Sequence, residues 1–183
     1  MNIFELGILD SIQKFFKCDF LDTVMPLITK LGDGGIFWII IALIMIITKK
    51  YRKTGIMMGV ALLTGLLVCN LTLKPLISRV RPFNIPGADF EALIDLTTVK
   101  DKSFPSGHTV ACFESATVLL INNKRLGIAA IIIAVLVAFS RLYLYVHYPT
   151  DVLFGALIGT AIGILSCFIV NKIINRKKSN TLK

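Results

Sequence analysis

Residues 124–171 read KRLGIAAIIIAVLVAFSRLYLYVHYPTDVLFGALIGTAIGILSCFIVN. Two apolar runs, about 126–144 and 150–171, are each long enough to cross a hydrocarbon core of about 30 Å. Between them stands a short polar corner that carries Arg141, His147 and Asp151. Towards the N-terminus three further runs, about 34–48, 54–73 and 106–121, have the same character. Five spans predict an all-α polytopic membrane helix bundle, because only helices or closed barrels satisfy their backbone polar groups inside lipid.

Composition agrees with the spans. The chain has 183 residues, 55% of them hydrophobic, and its mean hydropathy of +0.78 is far above that of a soluble domain. A net charge of +9 would raise nucleic acid as a partner, but the placement of the cations argues otherwise. Eleven of the twenty Lys and Arg fall in three clusters: Lys49, Lys50, Arg52 and Lys53; Lys124 and Arg125; and Lys172, Arg176, Lys177, Lys178 and Lys183. These follow the first, third and fifth spans, so the tendency of cytoplasmic loops to be basic puts all three inside. The 74–105 and 145–149 connections then face outward, and nucleic acid is excluded as a partner.

Three regions follow: an amphipathic N-terminal segment over 1–33, a membrane core over 34–171 and a basic cytoplasmic tail over 172–183. In the first, Ile3, Phe4, Ile8, Ile12, Phe15 and Phe16 keep helical spacing on one side while Glu5, Asp10 and Lys14 interrupt the rest, and the pattern resumes around Pro26. Two amphipathic helices at the outer interface are expected, with a sixth span from a cytoplasmic N-terminus as the alternative. No cleavable signal pattern is present. The outer loop of about thirty residues is long enough to predict short helices or a functional site within it. Cys18, Cys69, Cys112 and Cys167 lack metal-site or disulfide spacing and read as small buried hydrophobes.

Polar residues at span ends are costly and mark where chemistry is to be sought. Lys74 to Pro82, at the outward end of the second span, holds Lys74, Arg79 and Arg81; such cations suit a phosphoryl group, although snorkelling at a span end explains them equally. Pro105, Ser106, Gly107 and His108 open the third span, where free backbone N–H groups attract an anion; a lone histidine there is more often an interfacial hydrogen bonder. Asp151 follows His147 by four positions, near enough to fix one imidazole nitrogen and leave the other as a nucleophile, with Arg141 as a further phosphate ligand. A capped helix start flanked by an interfacial aromatic belt would explain Tyr143, Tyr145 and Tyr148, yet not Arg141 and His147. Both histidines of the chain and four cations converge on one outer face. Glu114, one turn or more inside the third span, is expected to make a structural hydrogen bond, to Asn70 or Thr64 for instance.

In order and spacing, KxxxxxxRP over Lys74–Pro82, PSGH over Pro105–His108 and SRxxxxxHxxxD over Ser140–Asp151 resemble the signature of the type 2 phosphatidic acid phosphatase family. The resemblance covers about residues 20–171. It implies His147 as a nucleophile forming a phosphohistidine, Asp151 as the carboxylate orienting it, and His108 as the acid that protonates the leaving oxygen and then activates water. Lys74, Arg81, Ser106, the backbone N–H of Gly107, and Arg141 match the family's phosphate-binding set. Arg79 lies outside the strict motif and is open to a second phosphate or the headgroup region.

The resemblance also implies no cofactor and no metal, in keeping with the scarcity of His and Cys, and a lipid phosphate or diphosphate as the substrate partner. No obligate protein partner is inferred. Among family substrates, undecaprenyl diphosphate is preferred, because SFPSGHT and SRLYLYVHYPTD are similar to small bacterial members. Phosphatidylglycerophosphate, phosphatidic acid and a lipid A phosphate remain open, since the motifs read phosphate and not the tail. A non-enzymatic lipid or anion transporter would require half-helices broken at mid-membrane, and a soluble vanadate haloperoxidase is opposed by the spans.

Overall fold

The structure, a computed structural model, describes residues 3–88 and 90–181, with side chains to Arg176. Lys183 and the side chains of Lys177 and Lys178 in the C-terminal basic cluster fall outside that range. The described residues form helices and turns: α1 Ile3–Phe16, α2 Asp19–Thr29, α3 Ile36–Ile47, α4 Arg52–Gly65, α5 Lys74–Ile77, α6 Gly107–Asn122, α7 Lys124–Tyr143 and α8 Pro149–Thr181. The all-α expectation holds. Four helical runs are long and apolar enough to cross a membrane: Asp19–Ile47, Arg52–Asn84, Lys124–Tyr143 and Pro149–Arg176.

The remaining expected span, α6, has only 16 residues, about 24 Å of rise, and it carries His108, Thr109, Glu114, Ser115 and Thr117 along its length. Its position explains both features. It packs against α8, α7 and α4, and Thr109, Glu114, Ser115 and Thr117 are buried among them. The outer helices instead turn Ile40, Leu43, Ile44, Ile132, Leu157 and Phe168 outward, as lipid contact requires. Close approach to α6 is permitted by glycines spaced four apart on α8: a Cβ at Gly159 would lie 2.6 Å from the Val110 carbonyl oxygen, and one at Gly163 would lie 2.7 Å from that of Glu114. Small residues at such spacing are how membrane helices gain dispersion contacts in the absence of a hydrophobic driving force.

The second predicted span does not end as a regular helix. After Gly65 it widens to π geometry over Leu66–Leu73, and the Thr72 hydroxyl donates to the Leu67 carbonyl five residues back at 3.0 Å. Wide turns of this kind recur at functional sites because they rotate the residues that follow. Here they are followed by Lys74, which is buried, and the run stops at Ser78 in the left-handed region.

The N-terminal segment forms the two expected helices, and both pack at the end of the bundle where α7 stops and α8 starts. α2 is joined to α3 through the 3-10 turn Lys30–Gly35, where Gly34 and Gly35 take positive φ. The tyrosines depart from the interfacial belt reading. Tyr143, Tyr145 and Tyr148 are all buried; the Tyr143 hydroxyl donates to Asp22 at 2.5 Å and that of Tyr145 to Asp10 at 2.6 Å. They tether α1 and α2 to the corner that carries His147. Three cysteines are buried as expected, while Cys18, between α1 and α2, is exposed. At the far end α8 stays helical to Thr181, so the basic tail begins as a continuation of the last helix.

Candidate active site

His147 lies in the corner between α7 and α8 and is almost wholly buried. The corner is tight, with Tyr145 at φ +58°; a non-glycine residue there costs of order 1–3 kcal/mol and persists only where surrounding contacts hold it. The tether from Tyr145 to Asp10 is one such contact. Arg81 supplies the decisive geometry. Its Nη1 stands 3.1 Å from Nε2 of His147, and a guanidinium has donors only, so Nε2 is the acceptor and carries the lone pair. The imidazole proton is then on Nδ1, which faces Oδ2 of Asp151 at 3.5 Å and has no nearer partner. Burial first, then the charges of Arg81 and Arg141, hold the His147 imidazole well below its ordinary pKa and therefore neutral.

Asp151 is held from several sides. Its Oδ1 accepts from Arg79 Nη1 at 2.6 Å, and its Oδ2 accepts from the Tyr148 backbone N–H at 3.0 Å and from the Ser103 hydroxyl. The Ser106 backbone N–H donates to the Asp151 carbonyl at 3.1 Å, which ties the start of α6 to the start of α8.

A cavity of about 420 Å³ brings together Lys74, Arg81, Gly107, His108, Arg141 and His147. Gly107 begins α6 after Ser106, and a Cβ there would meet Asn70 Oδ1 at 3.3 Å and Lys74 Nζ at 3.5 Å, so the glycine leaves the helix N-terminus open beside the lysine. His108 places Nε2 2.7 Å from Oδ1 of Asp33, which lies in the turn between α2 and α3. Arg141 donates from Nη1 to Thr29 at 2.5 Å, and its Nε is buried without a partner. Each histidine thus has a carboxylate, and the cations line the same cavity.

Two sequence-named residues stand apart from that cavity. Ser106 is buried with its hydroxyl accepting from Thr109 at 2.9 Å, and it does not line the cavity. Arg79 points behind the site, to Asp151, Thr150 and Glu5, and not to the space a second phosphate would occupy. Glu114 is buried against Gly65 with Oε2 unpartnered, and neither Asn70 nor Thr64 bonds to it; the Thr64 hydroxyl donates instead to the Val60 carbonyl.

Sequence reasoning missed the carboxylates Glu5, Asp33 and Asp101. Asp101 Oδ1 accepts from Arg81 Nη2 at 2.6 Å, and its other oxygen is paired with Lys74. Burial raises its pKa, but the Lys74 hydrogen bond and the Arg81 charge outweigh that and hold the carboxyl well below the usual range. It therefore bridges, as an anion, two cations of the phosphate-binding motif.

Buried cations around two histidine–carboxylate pairs, at one end of a membrane helix bundle, define an enzyme that handles phosphate esters at a bilayer surface. Comparison with known proteins gives the class. Residues 53–175 match the model of the PAP2 superfamily, and the chain belongs to that family. An undecaprenyl-diphosphatase of Sulfolobus acidocaldarius is 34% identical over 147 residues, 80% of this chain and 69% of that one. A lipid A 4'-phosphatase of Bacteroides thetaiotaomicron is 36% identical over 118 residues, 62% of this chain and about half, 52%, of its own length. Among solved structures, the transmembrane PAP2-type phosphatidylglycerolphosphate phosphatase of Bacillus subtilis superposes with a TM-score of 0.74 at 32% identity, covering 92% of this chain and 85% of that one. The protein is a multi-pass membrane lipid phosphatase.

Proposed function

We propose that this phosphatase hydrolyses undecaprenyl diphosphate to the monophosphate and phosphate, through a phosphohistidine on His147, at the extracytoplasmic face. The observation that carries the mechanism is the Arg81 donor on His147 Nε2, which leaves that nitrogen unprotonated and the proton on Nδ1 towards Asp151; the lone pair is free to attack once the substrate phosphate has taken the Arg81 guanidinium. Nε2 attacks phosphorus, the bond from phosphorus to the bridging oxygen breaks, and His108 gives its proton to that oxygen. His108, now neutral, takes a proton from water as the water oxygen attacks phosphorus. The phosphorus–nitrogen bond breaks and the electron pair returns to Nε2. Asp33, 2.7 Å from His108 Nε2, holds that imidazole in place through both transfers.

Lys74, Arg81, Arg141 and the Gly107 N–H are the proposed phosphate ligands, and Ser106, buried beneath the start of α6, supports that turn through Thr109. Phosphoryl transfer is governed by positioning and charge stabilisation, and fixed cations in a site withdrawn from water serve both. Substrate phosphate takes the place of the Asp101 carboxylate on Lys74 and Arg81. Lys30 also lines the cavity, outside all three motifs, and supplies the further cation that a diphosphate calls for. The named activity of the Sulfolobus relative supports the same substrate. The overlay on the Bacillus phosphatidylglycerolphosphate phosphatase favours a glycerophospholipid monoester as the second reading.

The test is phosphate release by purified protein from undecaprenyl diphosphate, phosphatidylglycerophosphate, phosphatidic acid and a lipid A phosphate, with a chelator present. Highest kcat/KM on the diphosphate is expected, and a preference for a glycerophospholipid overturns the substrate assignment. His147→Ala is expected to abolish turnover and acid-labile phosphoenzyme alike, and full activity in that variant excludes His147 as nucleophile. His108→Ala is expected to cost about 100-fold or more in kcat, as loss of a general acid does.

A further inference from the structure

We infer that Glu5 and Arg79 are positioning residues of this phosphatase, a clamp delivered by the N-terminal helix that fixes the Asp151 carboxylate and the first turn of α8, so that His147 faces the substrate phosphorus. The inference rests on His147 being the nucleophile. Glu5 lies on α1, outside the residues that match the family.

The contacts link four residues. Arg79 Nη2 donates to Glu5 Oε2 at 2.5 Å, and Nη1 donates to Asp151 Oδ1 at 2.6 Å and to the Thr150 hydroxyl at 2.7 Å. Glu5 Oε1 in turn accepts from the Thr150 backbone N–H at 3.0 Å and from its hydroxyl at 2.6 Å. The Thr150 N–H belongs to the first turn of α8, where backbone donors have no partner inside their own helix. Glu5 thus caps α8 from another helix, and a carboxylate is the favoured charge there. Beneath the guanidinium lies the Tyr148 ring, 3.8 Å from Cζ to the centroid, which fixes the plane of the fork.

Placement separates this clamp from phosphate binding and from simple surface pairing. Glu5 is 3% exposed, although α1 otherwise turns Ile3, Phe4, Phe15 and Phe16 outward. Arg79 does not line the cavity that holds the other cations, and both of its terminal nitrogens are engaged. Oδ1 of Asp151 is held by Arg79, while Oδ2 takes Ser103 and the Tyr148 N–H and faces His147 Nδ1. Releasing Oδ1 lets the carboxylate turn about its side-chain torsion and lose its alignment with Nδ1. Conserving the charge without the fork does not restore the arrangement, because an ammonium has no planar pair of donors.

The experiment compares full-length wild type, Glu5→Gln, Arg79→Lys, Arg79→Met and His147→Ala, with phosphatidic acid in detergent micelles as substrate, and reads kcat, KM, the pH profile and the melting temperature. Glu5→Gln and Arg79→Met are expected to lower kcat about tenfold or more, the usual effect of losing a group that orients an active-site ligand, with KM within about twofold. Arg79→Lys recovers only part of the loss. Loss of the Arg79 charge leaves Asp151 Oδ1 without its cation beside His147, so the acid limb of kcat/KM is expected to move to higher pH in Arg79→Met, against the fixed charges of Arg81, Arg141, Lys74 and His108. A fall in melting temperature with kcat and pH profile unchanged reduces the clamp to a structural tie and overturns the inference. A rise in KM alone makes Arg79 a phosphate ligand and also overturns it. If His147→Ala stays active the nucleophile assignment itself fails; if it is dead while the clamp variants match wild type, only the clamp fails.

Discussion

At the scale of single residues the site is a balance of charges, and Asp101 is its most informative member. It sits on Lys74 and Arg81, so phosphate binding must break two ion pairs before it makes its own. Asp101→Asn weakens the competitor while leaving the cations in place, and is expected to lower KM for a lipid phosphate several-fold with kcat within about twofold; a raised KM would show that Asp101 instead holds the cations in position. Glu5 gives a pH signature of a different kind. Burial raises its pKa, but the hydrogen bonds from Thr150 and Arg79 outweigh that and lower it. Between the folded value and the ordinary one the unfolded chain binds more protons, so the stabilisation is present above the ordinary glutamate range and is lost as pH falls through the folded value. Melting temperatures from pH 6 to pH 3 are therefore expected to fall more steeply in wild type than in Glu5→Gln. The pairing of His147 with Asp151 was legible because both lie on one short corner. Asp33, Asp101 and Glu5 were not, because each meets its partner across 20 or more positions; the signal available was a scarcity, with 11 acidic residues against 20 basic ones, so that any acid on the site side was a candidate for a cation there.

At the scale of elements, the spans were readable from hydropathy and the polar middle helix from its motif, but not the reasons they fit together. α6 could be polar and short because α4, α7 and α8 enclose it, a fact of tertiary packing that no window of sequence contains. The glycines of α8 carry that packing. Gly159→Ala places a Cβ 2.6 Å from the Val110 carbonyl oxygen, and backbone offers little room to yield; overpacking of this sort costs about 1–3 kcal/mol. A lower melting temperature is expected, together with reduced kcat because α6 carries His108 at its start. The same substitution at Gly7, inside α1 where a Cβ meets nothing within 4 Å, is expected to leave kcat unchanged and to hold or raise the melting temperature, because alanine favours the helix. Equal effects at the two positions would deny that the α6–α8 contact is the tight one. The widening at Leu66–Leu73 escaped sequence reading for a related reason: its residues are as apolar as a regular span, and what turns Lys74 inward is the backbone's extra residue per turn. The tyrosines were misread because an aromatic cluster at a span end has the same composition whether it faces lipid headgroups or two further helices.

At the scale of the whole molecule, the two ends differ in chemistry, and the proposed direction across the membrane rests on that difference. Basic clusters follow α3 and α6 and accompany the end of α8, whereas His108, His147, the long loop and both N-terminal helices gather at the other end. If the basic end is cytoplasmic, the site opens on the outer face, as the proposed function requires. Cys18 offers a native probe, since it is exposed at the site end while Cys69, Cys112 and Cys167 are buried. A membrane-impermeant maleimide is expected to label Cys18 in intact cells, and equally Thr97→Cys in the loop that flanks the cavity, whereas Lys50→Cys reacts only after permeabilisation. The opposite pattern would place the site inside and overturn the extracytoplasmic assignment. Labelling of Thr97→Cys from outside with Cys18 protected would keep the orientation and show that the join between α1 and α2 is sunk in the interface, with the exposed row of Ile3, Phe4, Phe15 and Phe16 laid against lipid and the clamp on Asp151 held from the membrane side.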